Sequence, residues 1–373
     1  MVVKQPQVLV PPFDPGLVPS MPAVFLIHGG QGYPYLSRTA SLRRRLERLL
    51  AAPDRLSRRL RLGEFAVRIE YWPLRSRLES VLLMYALAKK HYPDDYARRL
   101  RLRPPAFVKV LLGNEFPRTQ VTTRLAGGRS FYYGPFRSRA AAEAFEQEAL
   151  DLFQLRRCQE DLSPAPEHPG CIYGEMMKCL RPCQQVVGPA EYGSEAARFV
   201  EFLRGGGRTM LEAAAAAREK LSQELNFEQA RRQHERYLRI QAALKRRDDL
   251  AADVSRLNGV AVCPGEAAGS VDLVFLLGGI WAEPVAFDVA PGGDMTPMDR
   301  RLRELICSVR APAAGIAERH DHLSILAGWF YSSARTEAWV GFESLEELPY
   351  RTLVRAISNT ARASQAELFP ASI

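Results

Sequence analysis

Hydrophobic spacing divides the first part of the chain into short strands and helices. Residues 24–27 and 65–71 form the apolar or alternating runs typical of β-strands. The apolar side chains over 42–51 and 78–91 recur at helical spacing, and the second run stops before Pro93. A β-rich stretch over 107–136 follows, with glycine-containing turns at 113–114 and 127–128. We therefore predict alternating strands and helices up to residue 136.

Helical patterns dominate the middle of the chain. One helix is predicted over 139–153, and two more over 210–223 and 227–247. Only three residues separate the last two helices, and such a short connection predicts an antiparallel helical hairpin. Residues 271–289 predict a β-hairpin that turns at Gly278-Gly279, and two amphipathic segments complete the chain.

These patterns predict an α+β protein built from several modules. The predicted boundaries are a proline-containing lead-in (1–20), a small α/β domain (21–106), a β-rich segment with a cysteine cluster (107–200), a helical hairpin (201–248) and a C-terminal α/β region (249–373).

Positive charge is concentrated near the N-terminus and favours a polyanionic partner. The net charge is +9, and 44 of the 51 basic residues are arginines. Between residues 38 and 61 the arginines are opposed only by Glu47 and Asp54, and a second arginine cluster spans 98–103. Such clustering is unusual for a solvated helix face and indicates a nucleic-acid-binding surface. The candidate DNA-binding residues are Arg43, Arg44, Arg48, Arg58, Arg59, Arg98 and Arg99.

No membrane or export signal stands out in the sequence. No run approaches the roughly 18 apolar residues of a membrane helix. The proline-rich first 20 residues also lack the pattern of a signal peptide. We therefore expect a cytoplasmic protein with no membrane partner.

Four of the six cysteines lie within 26 residues and predict a metal site. They are Cys158, Cys171, Cys179 and Cys183. Thiols stay reduced in a cytoplasm, and four clustered thiolates can bind zinc or an iron–sulfur cluster. Residue chemistry alone leaves both open. The isolated Cys263 and Cys307 are predicted to be small core residues.

The cysteine segment resembles the UvrC family of excision-repair nucleases. The matching motifs are Phe-Gln-Leu-Arg-Arg-Cys (153–158), Cys-Ile-Tyr (171–173), Cys-Leu-Arg-Pro-Cys (179–183), Glu-Tyr (191–192) and Phe-Leu-Arg-Gly (202–205). Two further matching motifs precede the cysteines in the family's order, Pro-Arg (117–118) and Tyr-Gly-Pro-Phe (133–136). The resemblance covers roughly residues 20–290. It implies a 4Fe-4S cluster on the four cysteines, with zinc as the alternative.

The N-terminal domain resembles the GIY-YIG nuclease domain of UvrC in a degenerate form. The corresponding runs are Pro-Ala-Val-Phe (22–25), Tyr-Leu-Ser-Arg (35–38) and Leu-Arg-Arg-Arg-Leu (42–46). The resemblance assigns remnant catalytic roles to Tyr35, Arg38 and Arg45. Both signature glycines are replaced, by Ala23 and Ser37, and the first signature tyrosine is Phe25.

By the same resemblance, Met84 occupies the position of the family's metal-binding glutamate. A thioether is a poor ligand for Mg²⁺, which prefers hard oxygen donors. Glu79 lies on the same predicted helix but about 140° around it, and Asp94 or Asp95 could replace the lost ligand. Bound Mg²⁺ is therefore not expected, and a retained scaffold without nuclease activity is favoured.

The predicted helical hairpin resembles the UVR motif through which UvrC meets UvrB. The run Leu-Asn-Phe-Glu-Gln-Ala (225–230) carries this resemblance, which assigns partner-binding roles to Phe227, Glu228 and Ala230. A purely structural or self-associating hairpin is the alternative. The family's RNase H-like nuclease is expected to be missing from this chain.

These motifs favour a UvrC-like repair protein that binds DNA, a UvrB-like partner, or both, without cutting. Two alternatives stay open: an active GIY-YIG endonuclease with relocated metal ligands, and an iron–sulfur regulatory protein that does not contact DNA.

Overall fold

The computed structural model describes residues 5–51, 62–267, 269–289 and 296–368. These residues combine eleven α-helices with three antiparallel sheets, which confirms the predicted α+β class. None of the helices within these ranges is both long enough and apolar enough to cross a membrane.

The strands of the described residues are β1 (Gln7–Leu9), β2 (Ala23–Gly29), β3 (Tyr35–Thr39), β4 (Ala66–Pro73), β5 (Ala106–Leu111), β6 (Thr119–Thr122), β7 (Ser130–Phe136), β8 (Ala252–Asp253), β9 (Asn258–Pro264), β10 (Ser270–Leu277), β11 (Ile280–Trp281), β12 (Val285–Asp288) and β13 (Ala338–Phe342).

The helices are α1 (Leu42–Leu50), α2 (Arg77–His91), α3 (Tyr96–Leu100), α4 (Arg139–Leu150), α5 (Ile172–Glu175), α6 (Pro189–Arg204), α7 (Arg208–Gln223), α8 (Phe227–Lys245), α9 (Met298–Ile306), α10 (Ile316–Phe330) and α11 (Tyr350–Leu368).

The chain divides into two compact units whose boundaries cut across the predicted segments. The first unit comprises Met1–Arg103, Asn258–Ala313 and Ser332–Ile373, and the second comprises Pro104–Leu257 and Ala314–Tyr331. Most of the predicted C-terminal region therefore belongs to the same unit as the N-terminal domain.

The N-terminal sheet of the first unit has the strand order β1-β4-β2-β3, with β3 at an edge. One face packs with α1 through a core that includes Leu42 and Leu46, and the other packs with α2 through Leu83 and Leu87. Strand β1 lies in the segment predicted to be a loose lead-in, so that prediction is wrong for residues 7–9. Its three residues pair with β4, 60 to 64 positions further along the chain.

The second sheet of this unit contains β11, β10, β9 and β13 in that order, with β12 also paired to β10. The predicted hairpin is confirmed, because Gly278 (φ 56°) and Gly279 (φ 77°) form the left-handed turn between β10 and β11. Helices α9 and α11 pack on this sheet. Cys263 is buried in β9 as predicted, whereas Cys307 is exposed at the end of α9, which contradicts its predicted place in the core.

The second unit is built on the sheet β6-β5-β7-β8. Helix α4 covers it and packs Phe145 against Tyr133, whose ring is stacked at 5.3 Å between centroids. Helix α6 was not predicted, although its face bearing Tyr192 and Phe199 is buried in the same core. Pro189 stands at the first position of this helix, where proline is well tolerated.

Helices α7 and α8 confirm the predicted antiparallel hairpin. Leu225, in the three-residue connection, has a left-handed backbone (φ 59°). Asn226 caps α8 by accepting a 3.4 Å hydrogen bond from the backbone of Gln229. The connection is therefore stabilised by its own residues.

Candidate functional site

Two of the three remnant catalytic residues meet at the edge of the N-terminal sheet. Tyr35 begins the edge strand β3, and Arg45 lies on the first turns of α1, which packs on the same face. The Arg45 Nη2 donates a 3.0 Å hydrogen bond to the Tyr35 hydroxyl. Side chains alternate along a strand, so Arg38 lies with Leu36 on the opposite face from Tyr35. The structure thus brings Tyr35 and Arg45 together but separates Arg38 from them.

A cavity of about 490 Å³ opens beside Tyr35. It is lined by Tyr33, Pro34, Tyr35, Leu36, Met84, Ala88, Tyr92, Arg99 and Leu100. Met84 on α2 therefore faces the same space as Tyr35. No acidic side chain is among these described lining residues.

The carboxylates that could replace the lost glutamate lie elsewhere. Glu79 is buried and lines a different cavity of about 540 Å³, together with Arg43 and Asp272. Asp95 forms ion pairs with Arg98 (2.6 Å) and Arg99 (3.0 Å), and the Arg98 hydrogen bond lowers the pKa of Asp95. Asp94 is exposed and does not line the cavity beside Tyr35.

The candidate DNA-binding arginines of α1 point in several directions. Arg43 donates a 3.0 Å hydrogen bond from Nε to the Val18 carbonyl. Arg44 and Arg48 lie one turn apart, are exposed, and are joined by a 3.2 Å bond from Arg48 Nε to the Arg44 carbonyl. The two therefore form the exposed cationic stripe of this helix. The predicted DNA-binding residues Arg58 and Arg59 lie outside the described residues.

The four clustered cysteines lie in the second unit, around α5 and the following turn. Cys179 and Cys183 are buried, Cys158 is half-buried, and Cys171 is exposed. Burial raises the pKa of the Cys179 thiol to about 11, and the other three thiols are close enough to contribute to this shift. The four thiols therefore share one neighbourhood. No group of three or more His, Cys, Asp or Glu side chains in the described ranges is arranged to hold a metal ion.

Two of these sulfurs accept hydrogen bonds from nearby nitrogens. The Arg181 backbone nitrogen donates to Cys179 Sγ at 3.4 Å, and Arg156 Nη1 donates to Cys158 Sγ at 3.5 Å. Donors of this kind orient metal-binding side chains and adjust the properties of the metal.

Buried Arg156 and Tyr192 fix the start of the cysteine segment. Arg156 donates to the carbonyls of Phe116 (3.0 Å) and Glu160 (2.8 Å). The Tyr192 hydroxyl accepts from the Arg156 backbone and donates to the Pro117 carbonyl. Both residues belong to the sequence motifs at 153–158 and 191–192, but their structural role was not predicted because it depends on contacts between distant segments.

The hairpin exposes part of its motif and buries the rest. Phe227 is 65% exposed and Leu225 is 72% exposed, although both are large apolar residues. Glu228 is exposed and pairs with Arg232 at 2.9 Å. Ala230 is buried, so it helps to pack the hairpin and is not available at its surface.

Comparison with known proteins identifies relatives across most of the chain. Residues 107–202 match the family "UvrC/Cho excinuclease, middle domain". The UvrABC system protein C of Lachnospira eligens is 23% identical over 266 residues, covering 70% of this chain and 43% of that protein. That of Methanosarcina mazei is 23% identical over 364 residues, covering 89% of this chain and 68% of that protein. No solved structure matches.

The similarity extends further along the chain than the sequence motifs indicated. A match to the UvrABC system protein C of Lawsonia intracellularis covers 90% of this chain and 53% of that protein, with 21% identity. Residues beyond 290 make up more than a fifth of the chain, so this match must include many of them. The chain spans 35–43% of the length of the first relatives. The middle-domain match and these relatives show that the chain is similar to UvrC proteins, with the family match confined to residues 107–202.

Proposed function

We propose that this protein is a catalytically impaired UvrC-type protein of nucleotide excision repair, which binds DNA, a UvrB-like partner, or both. One observation carries the proposal. Met84 occupies the position of the family's metal-binding glutamate, and the cavity it shares with Tyr35 is lined by no acidic side chain among the described residues. The Tyr35–Arg45 pair is retained without the ligand that would hold a hard metal ion beside it.

The missing carboxylate matters because metal-assisted phosphodiester cleavage depends on the bound ion. A divalent metal stabilises the charge that develops on the phosphate and helps to generate the nucleophile. Mg²⁺ takes oxygen ligands in near-octahedral geometry, and a thioether sulfur does not replace them. Tyr35 and Arg45 can still position a phosphate, but they do not supply this chemistry.

The rival proposal, an active nuclease with relocated ligands, needs a carboxylate near Tyr35. Glu79 lines another cavity, and Asp95 is occupied by two arginines. Neither arrangement favours metal binding beside Tyr35, so the impaired protein is the better-supported proposal.

We further propose a 4Fe-4S cluster on Cys158, Cys171, Cys179 and Cys183, with zinc as the alternative. The four thiols lie close enough to interact electrostatically, and four cysteine sulfurs are the ligands that such clusters use. The hydrogen bonds to Cys158 and Cys179 fit the surroundings of a metal-bound sulfur. A bound cluster would cross-link this loop-rich segment and supply a one-electron redox centre.

The exposed end of the hairpin supports a protein partner. Leu225 and Phe227 are two positions apart at the start of α8, and both are exposed. Exposing large apolar side chains to water costs free energy, which binding to a partner would recover. Neighbouring Glu228 adds a charged rim. A UvrB-like protein is the partner that this motif favours.

Metal binding at the cavity beside Tyr35 tests whether this site lacks a metal ligand. In titration calorimetry with Mn²⁺, we expect no binding that depends on Tyr35 in the unmodified protein. Met84→Glu should introduce a weak site, because it returns one carboxylate to the cavity. Binding of Mn²⁺ by the unmodified protein that Tyr35→Phe abolishes would overturn the proposal.

A further inference from the structure

Arg156 is an arginine buried inside the second unit, where its charge needs compensation. Only 3% of the residue is exposed. A guanidinium stays protonated in proteins, and a buried charge costs free energy unless an opposite charge or a set of hydrogen bonds compensates it. The surroundings of Arg156 therefore indicate which group balances its positive charge.

The neighbouring basic residues are paired with a carboxylate, whereas Arg156 is not. Arg157 forms an ion pair with Asp151 at 2.6 Å, and Lys178 shares the same carboxylate at 2.8 Å. Among the described residues Arg156 forms no ion pair, and its side-chain hydrogen bonds go to carbonyl oxygens and to one sulfur. Carbonyl dipoles solvate this charge but do not neutralise it.

Of the described groups that accept hydrogen bonds from the Arg156 side chain, only the Cys158 sulfur can carry a negative charge. Arg156 Nη1 lies 3.5 Å from Cys158 Sγ and 2.8 Å from the Glu160 carbonyl oxygen, and Nε lies 3.0 Å from that of Phe116. These carbonyl contacts hold the guanidinium beside the sulfur. Cysteine binds a metal as the thiolate, so a metal-bound Cys158 would place a negative charge directly against this cation.

Hydrogen bonds also fix the backbone of Arg156. Its backbone nitrogen donates a 2.8 Å bond to the hydroxyl of buried Tyr192, which donates in turn to the Pro117 carbonyl at 2.9 Å. The guanidinium is thus anchored at both ends, and its charge acts on the sulfur from a fixed position.

We propose that Arg156 is the counter-ion of the metal–thiolate centre on the four clustered cysteines, and that it raises the reduction potential of this centre. The inference rests on the proposed function, which assigns a 4Fe-4S cluster to these cysteines. Net charge and hydrogen bonds to the sulfurs are among the factors that set such potentials. Uptake of one electron adds one negative charge to the centre, so a fixed cation beside Cys158 stabilises the reduced form.

A redox titration of the anaerobically purified full chain tests the inference, with dithionite as the electron donor and EPR spectroscopy as the readout. Arg156→Gln removes the charge and keeps an amide donor. At a fixed potential it should lower the ratio of reduced to oxidised cluster about tenfold, which corresponds to about 59 mV for a one-electron couple. Arg156→Lys keeps the charge and should largely keep the potential. Iron content is measured for every variant.

Arg157→Gln is the matched control. It makes the same change at the next residue, whose charge is already paired with Asp151. This variant should keep both its iron and its potential. An Arg156→Gln protein that keeps its iron and the original potential would overturn the inference and leave the proposed cluster standing. Equal shifts in the two glutamine variants would overturn it as well.

Iron content decides the outcome if Arg156→Gln loses its cluster. Loss of iron in Arg156→Gln with retention in Arg156→Lys would support the inference, because the centre then requires the positive charge. Loss of iron in both would overturn it, because the hydrogen-bond geometry of the arginine would then be what the centre requires. If the unmodified protein holds zinc and no iron, the proposed cluster and this inference both fall.

Discussion

At the scale of single residues, Glu337 connects two distant parts of the first unit. Its Oε1 accepts hydrogen bonds from the Ser76 hydroxyl (3.0 Å) and from the backbone nitrogens of Arg77 (2.7 Å) and Leu78 (3.1 Å). These donors begin α2, the helix that carries Met84. A carboxylate at a helix N-terminus satisfies free backbone donors and interacts favourably with the helix dipole.

Glu337→Ala should lower the free energy of unfolding by about 2–3 kcal/mol, because it leaves buried donors without their acceptor. Glu337→Gln keeps an acceptor oxygen and should cost about 1 kcal/mol. Urea unfolding measures both values. The exposed Glu346→Ala serves as control and should change stability little. An alanine variant as stable as the unmodified protein would contradict this role for Glu337.

The cysteine residues give a second prediction at this scale. Protein purified without oxygen should be brown and contain about four irons per chain, as a 4Fe-4S cluster requires. Cys179→Ser should lose most of this iron, because a buried ligand is removed. Iron and zinc analysis measures the outcome.

Cys307→Ser is the matched control, since Cys307 lies outside the cysteine cluster and is exposed. It should keep the full iron content. A colourless protein with a single zinc ion would contradict the cluster and favour the zinc alternative. Equal iron loss in both variants would contradict the assignment of the ligands.

At the scale of secondary-structure elements, α1 carries the exposed arginine stripe formed by Arg44 and Arg48. Each lysine or arginine that neutralises a DNA phosphate releases counterions, so DNA affinity falls as salt rises. Arg44→Glu with Arg48→Glu should weaken duplex binding and reduce the slope of log affinity against log salt by about two. Affinity measured across a salt series tests this expectation.

Arg351 and Arg355 provide the control on another helix. They are also one turn apart and exposed, on α11. Reversing both charges keeps the change in net charge identical. If this pair reduces the salt slope as much as the α1 pair, general charge and not the α1 stripe governs binding.

Local patterns predicted the elements whose signals lie within a few residues. The β-hairpin was predicted because Gly278-Gly279 marks its turn, and the helical hairpin because only three residues separate two helical patterns. Strand β1 was missed, since its three residues become a strand only by pairing with β4. Helix α6 was missed although Pro189 at its first position is a typical helix start, because Gly193 interrupts its pattern.

The candidate site was predictable only where a motif named its residues. Met84 could be recognised from the family pattern around it, and Tyr35 and Arg45 likewise. The cavity that Met84 shares with Tyr35 could not, because its lining residues come from separate segments of the chain. The Glu337 contact with Ser76 joins residues 261 positions apart, which no local pattern encodes.

At the scale of the whole molecule, the two units carry different parts of the proposed function. The first holds the cavity beside Tyr35, and the second holds the cysteine cluster and the helical hairpin. Net charge of +9 favours association with DNA for the chain as a whole. Under the proposed function, binding is expected to be retained and cutting is expected to be lost.

Incubation of the full chain with a labelled, damaged duplex in the presence of Mg²⁺ or Mn²⁺ tests this separation most directly. Binding and incision are measured in the same sample, with Tyr35→Phe and Arg45→Ala in parallel. Loss of the metal removes several kcal/mol of transition-state stabilisation, and each 1.36 kcal/mol is about tenfold in rate. We expect a shifted, uncut duplex for all three proteins. Metal-dependent cutting by the unmodified protein that either substitution abolishes would contradict it.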